Sequence, residues 1–186
     1  MSVIVGLRTS NGETWIGSDT LACADAMKIT VGPKWVVRAP WAVGVAGHLR
    51  TMNVVDAHAD KLLHDLASAY EFSDRLRDLL KSDGFHENGE AQGPLVFGQT
   101  TMLAHPTGLW ALGGDFSLVR IADNELWAEG SGRELALGAG YAAQVTCMKQ
   151  APEETVRLAI AAAIHFDVGS GGEIWIHRLK AESAPS

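Results

Sequence analysis

The sequence predicts an α+β fold in which two sheets pack face to face and helices cover their outer sides. Three observations lead there. β-rich apolar runs bounded by turn residues fill the chain up to His48. Apolar residues then recur at three- and four-residue spacing, the pattern of amphipathic helices, before strands, a helix pair and a last strand follow. Blocks of antiparallel strands alternating with helix pairs are satisfied by layers, because each helix must bury its stripe on a sheet and each sheet its inner face on the other.

Taken in order, Val3–Arg8 and Thr14–Asp19 read as strands joined at Ser10-Asn11-Gly12, since Asn-Gly between apolar runs is a strong hairpin signal. Trp35–Ala39 and Trp41–Val45 read as a second pair, bent at Ala39-Pro40. From His48, the spacing of Leu49, Met52, Val55, Ala59, Leu62, Leu63 and Leu66 predicts one amphipathic helix. A second helix is expected over Ser73–Lys81, capped by Ser73 or Asp74. The polar, Gly-containing stretch 82–94 reads as a surface loop, and strands resume over Leu95–Ala104, Gly108–Leu112, Ser117–Ile121 and Leu126–Glu129. Helices follow at Gly132–Met148 and Pro152–Phe166, the latter opening with Pro-Glu-Glu as a helix N-terminus should. The chain closes with a strand over Glu173–Leu179 and a polar tail, 180–186. No repeat or linker interrupts it, so residues 1–186 are expected to form one domain with its core in 2–179.

Composition excludes several function classes. The net charge is −7 and no Lys/Arg run exceeds two residues, which argues against nucleic acid and anionic membranes as partners. No apolar run approaches the ~18 residues of a membrane span. The start MSVIVGLRTS has neither a basic leader nor a small-residue cleavage site. Cys23 and Cys147 stand outside any CxxC pattern and suggest reduced thiols, so a cytoplasmic location is expected.

Some local patterns carry nothing. Gly138 to Ala143 formally matches GxGxxA but lies within a helical stretch and follows no strand, so close helix packing explains it better. Asp56, Asp60 and His64 share a helix face, and a solvated polar stripe explains them better than a metal site, which would need a second ligand cluster. No cofactor is implied.

Six short motifs gain meaning together. They are Met1-Ser2 before a strand, Gly17-Ser18-Asp19 closing the second strand, and Gly32-Pro33-Lys34-Trp35 opening the next hairpin. Gly44-Val45-Ala46-Gly47 follows at a strand-to-helix junction, then Gly130-Ser131-Gly132 opening a helix, and Asp167 to Gly172 before the last strand. In this order the chain resembles proteasome β subunits and the bacterial proteasome-like peptidase HslV, from Ser2 to about Leu179. The resemblance implies a four-layer αββα sandwich of the N-terminal-nucleophile hydrolase type.

It also implies site residues. Ser2 falls where that family has its catalytic threonine, and removal of Met1 would give it a free α-amine to accept the hydroxyl proton. Asp19 and Lys34 match a buried pair whose positive charge favours the neutral amine. Gly47 matches the backbone N–H donor to the oxyanion. Ser131, Asp167 and Ser170 match the residues that orient the amine. By position, Ala22, Cys23, Gly32, Val45 and Leu49 would line the first specificity pocket, an apolar lining that suggests uncharged substrate side chains. The implied activity is a self-compartmentalised peptidase acting on peptides or unfolded proteins. The implied assembly is a homo-oligomeric stacked ring that an ATP-driven unfoldase could feed, with Trp41, Trp110 or Trp127 as candidates for its apolar contacts. The alternative is a non-catalytic proteasome-like ring subunit or binding scaffold.

Overall fold

Alternation along the strands sorts the apolar side chains into three clusters, and the three clusters define four layers. The computed structural model describes residues 2–24, 27–83, 100–146 and 150–180. One sheet has the order β10 (Leu126–Gly130), β1 (Val3–Arg8), β2 (Thr14–Asp19), β11 (Ile174–Leu179). The other runs β5 (Trp35–Arg38), β6 (Trp41–Ala46), β7 (Thr100–His105), β8 (Gly108–Leu112), β9 (Leu118–Ile121), and every neighbouring pair in both is antiparallel. A separate hairpin joins β3 (Leu21–Ala24) to β4 (Met27–Thr30).

On β1, Val3, Val5 and Leu7 face α4 (Arg133–Thr146) and α5 (Pro152–Phe166), where they meet Ala136, Val156 and Ile160. Ile4 points the other way and packs with Ile16, Ala42, Ala46, Met102 and Leu109 between the sheets. On β6 the same alternation sends Val43 and Val45 outward to α1 (Leu49–Ala57), α2 (Ala59–Leu63) and α3 (Ala69–Ser82). The core strands therefore bury both faces, which is why their sequences read as near-continuous apolar runs. The architecture is the αββα sandwich.

Several elements differ from the sequence reading. The β3–β4 hairpin was not expected, because its strands are four residues each and carry no Gly or Pro punctuation. The helix read from His48 to Leu66 breaks at His58 into α1 and α2. Both pieces bury Val54, Val55, Ala59, Leu62 and Leu63 in one cluster, so the apolar period runs on across the break. Helix α3 starts four residues early, and its cap is Ser68, not Ser73 or Asp74. The Ser68 hydroxyl accepts the Glu71 N–H at 3.2 Å, and the Glu71 carboxylate accepts the Ala67 N–H at 3.0 Å. Ser73 is buried and donates to the Phe116 carbonyl instead. The expected loop 82–94 beyond Asp83, the strand stretch 95–99, Cys147 and the tail 181–186 lie outside the described residues. Trp41 is 6% exposed and donates to the Leu66 carbonyl, so it is a core residue unavailable for assembly.

Ser68→Ala should therefore lower the unfolding free energy by about 1 kcal/mol in urea titrations. Asp74→Ala should stay within about 0.5 kcal/mol of the parent.

Candidate active site

Ser2 heads β1, one of the two central strands of its sheet, and is 3% exposed. Pairing of β1 with β10 sets Val3 opposite Gly130 and so brings the turn after β10 against Ser2. Gly130 has φ +103°, and a Cβ there would fall on the Ser2 carbonyl oxygen, so only glycine lets the two chains approach. The Ser2 nitrogen donates to Ser131 Oγ at 3.2 Å, and the Ser2 carbonyl accepts the Gly132 N–H at 3.4 Å.

Behind Ser131 stands Asp167, the residue that ends α5. Its Oδ2 accepts hydrogen bonds from Ser131 Oγ and Ser170 Oγ, both at 2.7 Å, and its Oδ1 accepts the Gly169 N–H at 3.1 Å. Partial burial by itself would raise the Asp167 carboxyl, but the Ser131, Ser170 and Gly169 donors outweigh it and hold it below the ordinary aspartate range.

On the opposite side, Asp19 ends β2 and is fully buried. Its Oδ1 receives Lys34 Nζ at 2.5 Å and the Val3 N–H at 3.0 Å, while Oδ2 receives the Gly171 N–H at 2.9 Å and the Leu21 N–H at 3.4 Å. Lys34 Nζ also donates to the Leu21 carbonyl at 2.5 Å. The Lys34 main chain is held as well: its N–H donates to Ser18 Oγ and its carbonyl accepts from Val45, both at 3.0 Å. Burial pulls the Lys34 ammonium below the ordinary lysine value, against the raising effect of Asp19.

These groups meet at a cleft of about 470 Å³. Ser2, Lys34 and Gly47 line it, and so do Ala22, Cys23, Gly32, Val45 and Leu49. Gly47 stands between β6 and α1 with φ +127°, a turn conformation that favours glycine. Asp19, Ser131, Asp167 and Ser170 form the polar support behind Ser2 and Lys34 rather than the cleft wall. The sequence reading missed the backbone partners of Asp19 and Lys34, which no side-chain pattern announces. It also missed Ile29 and Val31, and the Met52, Asn53 and Asp56 face of α1, all of which line the cleft. Among the described residues no group of three His, Cys, Asp or Glu side chains is arranged to hold a metal ion.

Removing the Lys34 charge while Asp19 stays buried should be costly. Lys34→Met is expected to lose about 3–5 kcal/mol of stability. Adding Asp19→Asn should return part of that loss, a non-additivity read from a double-mutant cycle of urea unfolding.

No protein-family model matches the chain, and no curated protein matches it in sequence. Solved structures do. Thiobacillus denitrificans BPH in complex with epoxomicin has a TM-score of 0.79 at 21% identity, over 96% of this chain and 98% of that one. A second structure of Thiobacillus denitrificans BPH gives 0.79 and 21%, over 96% and 97%. Eukaryotic HslV from Trypanosoma brucei gives 0.70 at 15% identity, over 96% and 99%. At these identities the likeness is one of architecture, and it spans nearly the whole of each chain: the fold is the αββα sandwich of the proteasome-type N-terminal-nucleophile hydrolases.

Proposed function

We propose that the chain is a self-compartmentalising peptidase whose nucleophile is the Ser2 hydroxyl, freed as an N-terminal residue by excision of Met1. The observation that carries this reading is the double anchoring of Ser2. Ser131 meets its nitrogen, Gly132 its carbonyl, and Asp19 the next N–H, while Lys34 shares its cleft. A scaffold has no use for a polar cluster that costs several kcal/mol to bury.

In the forward step the Ser2 Oγ attacks a peptide carbonyl and its proton passes to the α-amine. The resulting oxyanion is met by the Gly47 N–H, a contact of the kind worth about 10²–10³ in rate. Collapse breaks the C–N bond, and the ammonium returns its proton to the departing amine. Water then attacks the ester, giving a proton to the same amine, and the acid product leaves with Ser2 restored.

The Lys34 ammonium lines the same cleft as that amine, and a positive charge there lowers the amine's proton affinity and favours its neutral, proton-accepting form. The Asp167 carboxylate keeps Ser131 oriented. Because its folded value is depressed, that support is complete above the ordinary aspartate range and is lost only as pH falls through the lowered value.

Assembly into a ring of like chains is supported by the exposed apolar side chains on the outer helices, Tyr141 and Val145 on α4 and Leu158 and Phe166 on α5. Exposed large apolar side chains are what subunit contacts cover. No helix among the described residues is long and apolar enough to cross a membrane.

Intact-mass measurement is expected to show a chain lacking Met1. Epoxomicin should add its mass to this chain and not to Ser2→Ala, whose peptide turnover should fall by roughly 10⁴-fold or more. Retained Met1, with no labelling and no turnover by either protein, would instead identify a non-catalytic ring subunit.

The pH profile of kcat/KM should be bell-shaped. Its acid limb reports the Ser2 amine, displaced below the about 7.7–8.0 of a free α-amine. Its alkaline limb reports Lys34, at a pH below the ordinary lysine value because burial lowers it. Lys34→Met should shift the acid limb upward and abolish the alkaline one.

A further inference from the structure

Helix α1 turns one face to the cleft. Leu49, Met52, Asn53 and Asp56 lie at spacings of three and four, so they form a single stripe, and all four line the cavity. Leu49 follows Gly47 by two residues and stands at the end where an oxyanion would sit. Asp56 is seven residues further on, about 10.5 Å along the helix axis. Side chains on a helix lean toward its N-terminus, so the Asp56 carboxylate leans back toward the Gly47 end.

The charges along this face are unbalanced. Lys34 is neutralised by Asp19. Asp60, the next carboxylate along the chain, is taken by Arg38 at 2.5 Å. Asp56 has no ion-pair partner among the described residues. The wall before it is apolar, supplied by Ile29, Val31, Val45 and Met52.

An apolar wall ending in a carboxylate matches one kind of side chain, a long apolar stem that ends in a cation. We propose that Asp56 selects substrates with lysine or arginine at the residue whose carbonyl Ser2 attacks. The inference rests on the peptidase reading of the cleft. It replaces the expectation of an uncharged preference, which came from the near wall of Ala22, Cys23, Gly32, Val45 and Leu49 alone. An uncharged side chain fills that wall but leaves the carboxylate partly desolvated without a partner, and an acidic one is repelled.

The test uses the full chain carrying Ser2→Ala, so that binding is read without turnover. Three acetylated tripeptide amides differ only in the last residue: lysine, norleucine (the same stem without the charge) and glutamate. At low salt lysine should bind roughly three- to tenfold tighter than norleucine, with glutamate weakest, and the ratio should shrink in high salt. Asp56→Asn should bring the lysine-to-norleucine ratio close to one, and Asp56→Lys should favour glutamate over lysine. Because Asp56 is exposed, unfolding midpoints should confirm that both variants fold. Equal binding of lysine and norleucine, a ratio that survives Asp56→Asn, or no binding of any peptide overturns the proposal. Hydrolysis assays with the Ser2 parent separate it from the reading beneath it. Charge-dependent binding without any cleavage removes the Ser2 peptidase and leaves the selectivity of the cleft. Cleavage indifferent to the basic side chain removes the role of Asp56 and leaves Ser2.

Discussion

The buried carboxylate of Asp19 is the group on which the site depends. Moving a carboxylate out of water costs several kcal/mol after relaxation, so it persists only where every lone pair is met. Here four donors meet it, from β1, from the start of β3, from Lys34 and from the loop before β11. The requirement of solvation thus ties those four segments together in addition to strand pairing and apolar packing. Since the Val3 N–H is one of the donors, the carboxylate that holds the Lys34 ammonium in place also fixes the register of the residue after Ser2.

Asp167 solves a different problem with the same functional group. It faces hydroxyls instead of an ammonium and is only partly buried. A serine hydroxyl has one hydrogen, and Ser131 spends it on Asp167 at 2.7 Å rather than on the Ser2 carbonyl at 3.4 Å. Its lone pairs are then the groups turned toward the Ser2 nitrogen, which must act as donor. With one N–H engaged in that direction, the lone pair of a free amine would be left for the neighbouring Oγ proton. A relay of two hydrogen bonds thus orients the Ser2 nitrogen, the proton acceptor of the proposed reaction, and it ends on a carboxylate whose pKa is held below the ordinary aspartate range.

Much of this was legible where local chemistry dictates local structure. Asn11-Gly12 marked the first hairpin, and Pro152 marked the start of α5; the bounds of β1, β2, β8 and α5 follow directly from such signals. The β3–β4 hairpin was illegible, because Leu21–Ala24 has no β-branched or aromatic residue and each strand is only four residues long. The Ser68 cap was legible in principle, since Ser68-x-x-Glu71 is a capping-box spacing, but Ser73 and Asp74 offer competing cap residues one turn further in. In the site, the polar residues could be linked only through the order of their motifs. Asp19 and Lys34 are fifteen positions apart and Ser131 and Asp167 thirty-six, and only the strand pairing brings them into contact. Asp56 is solvent-exposed, as its place on a polar stripe predicts, but periodicity gives a face and not the cleft that the face borders.

Serine stands where the resembled family has threonine, and magnitudes decide how much that matters. Without the threonine methyl the hydroxyl has three staggered wells open to it instead of one strongly preferred. Confining it to one well costs at most about 0.6 kcal/mol, the free energy of a threefold choice. Catalysis by enzymes lowers barriers by about 8 kcal/mol or more, so the missing methyl removes only a small part of the available effect. The larger loss would come from a mobile main chain, and that loss is prevented here. The Ser2 nitrogen and carbonyl are held by Ser131 and Gly132 of one turn, and the Val3 N–H by Asp19 from another strand. What fixes Ser2 in this chain is therefore its backbone, through Gly130, Ser131 and Asp19, and in the proposed reaction the side chain needs only to rotate within a position already set.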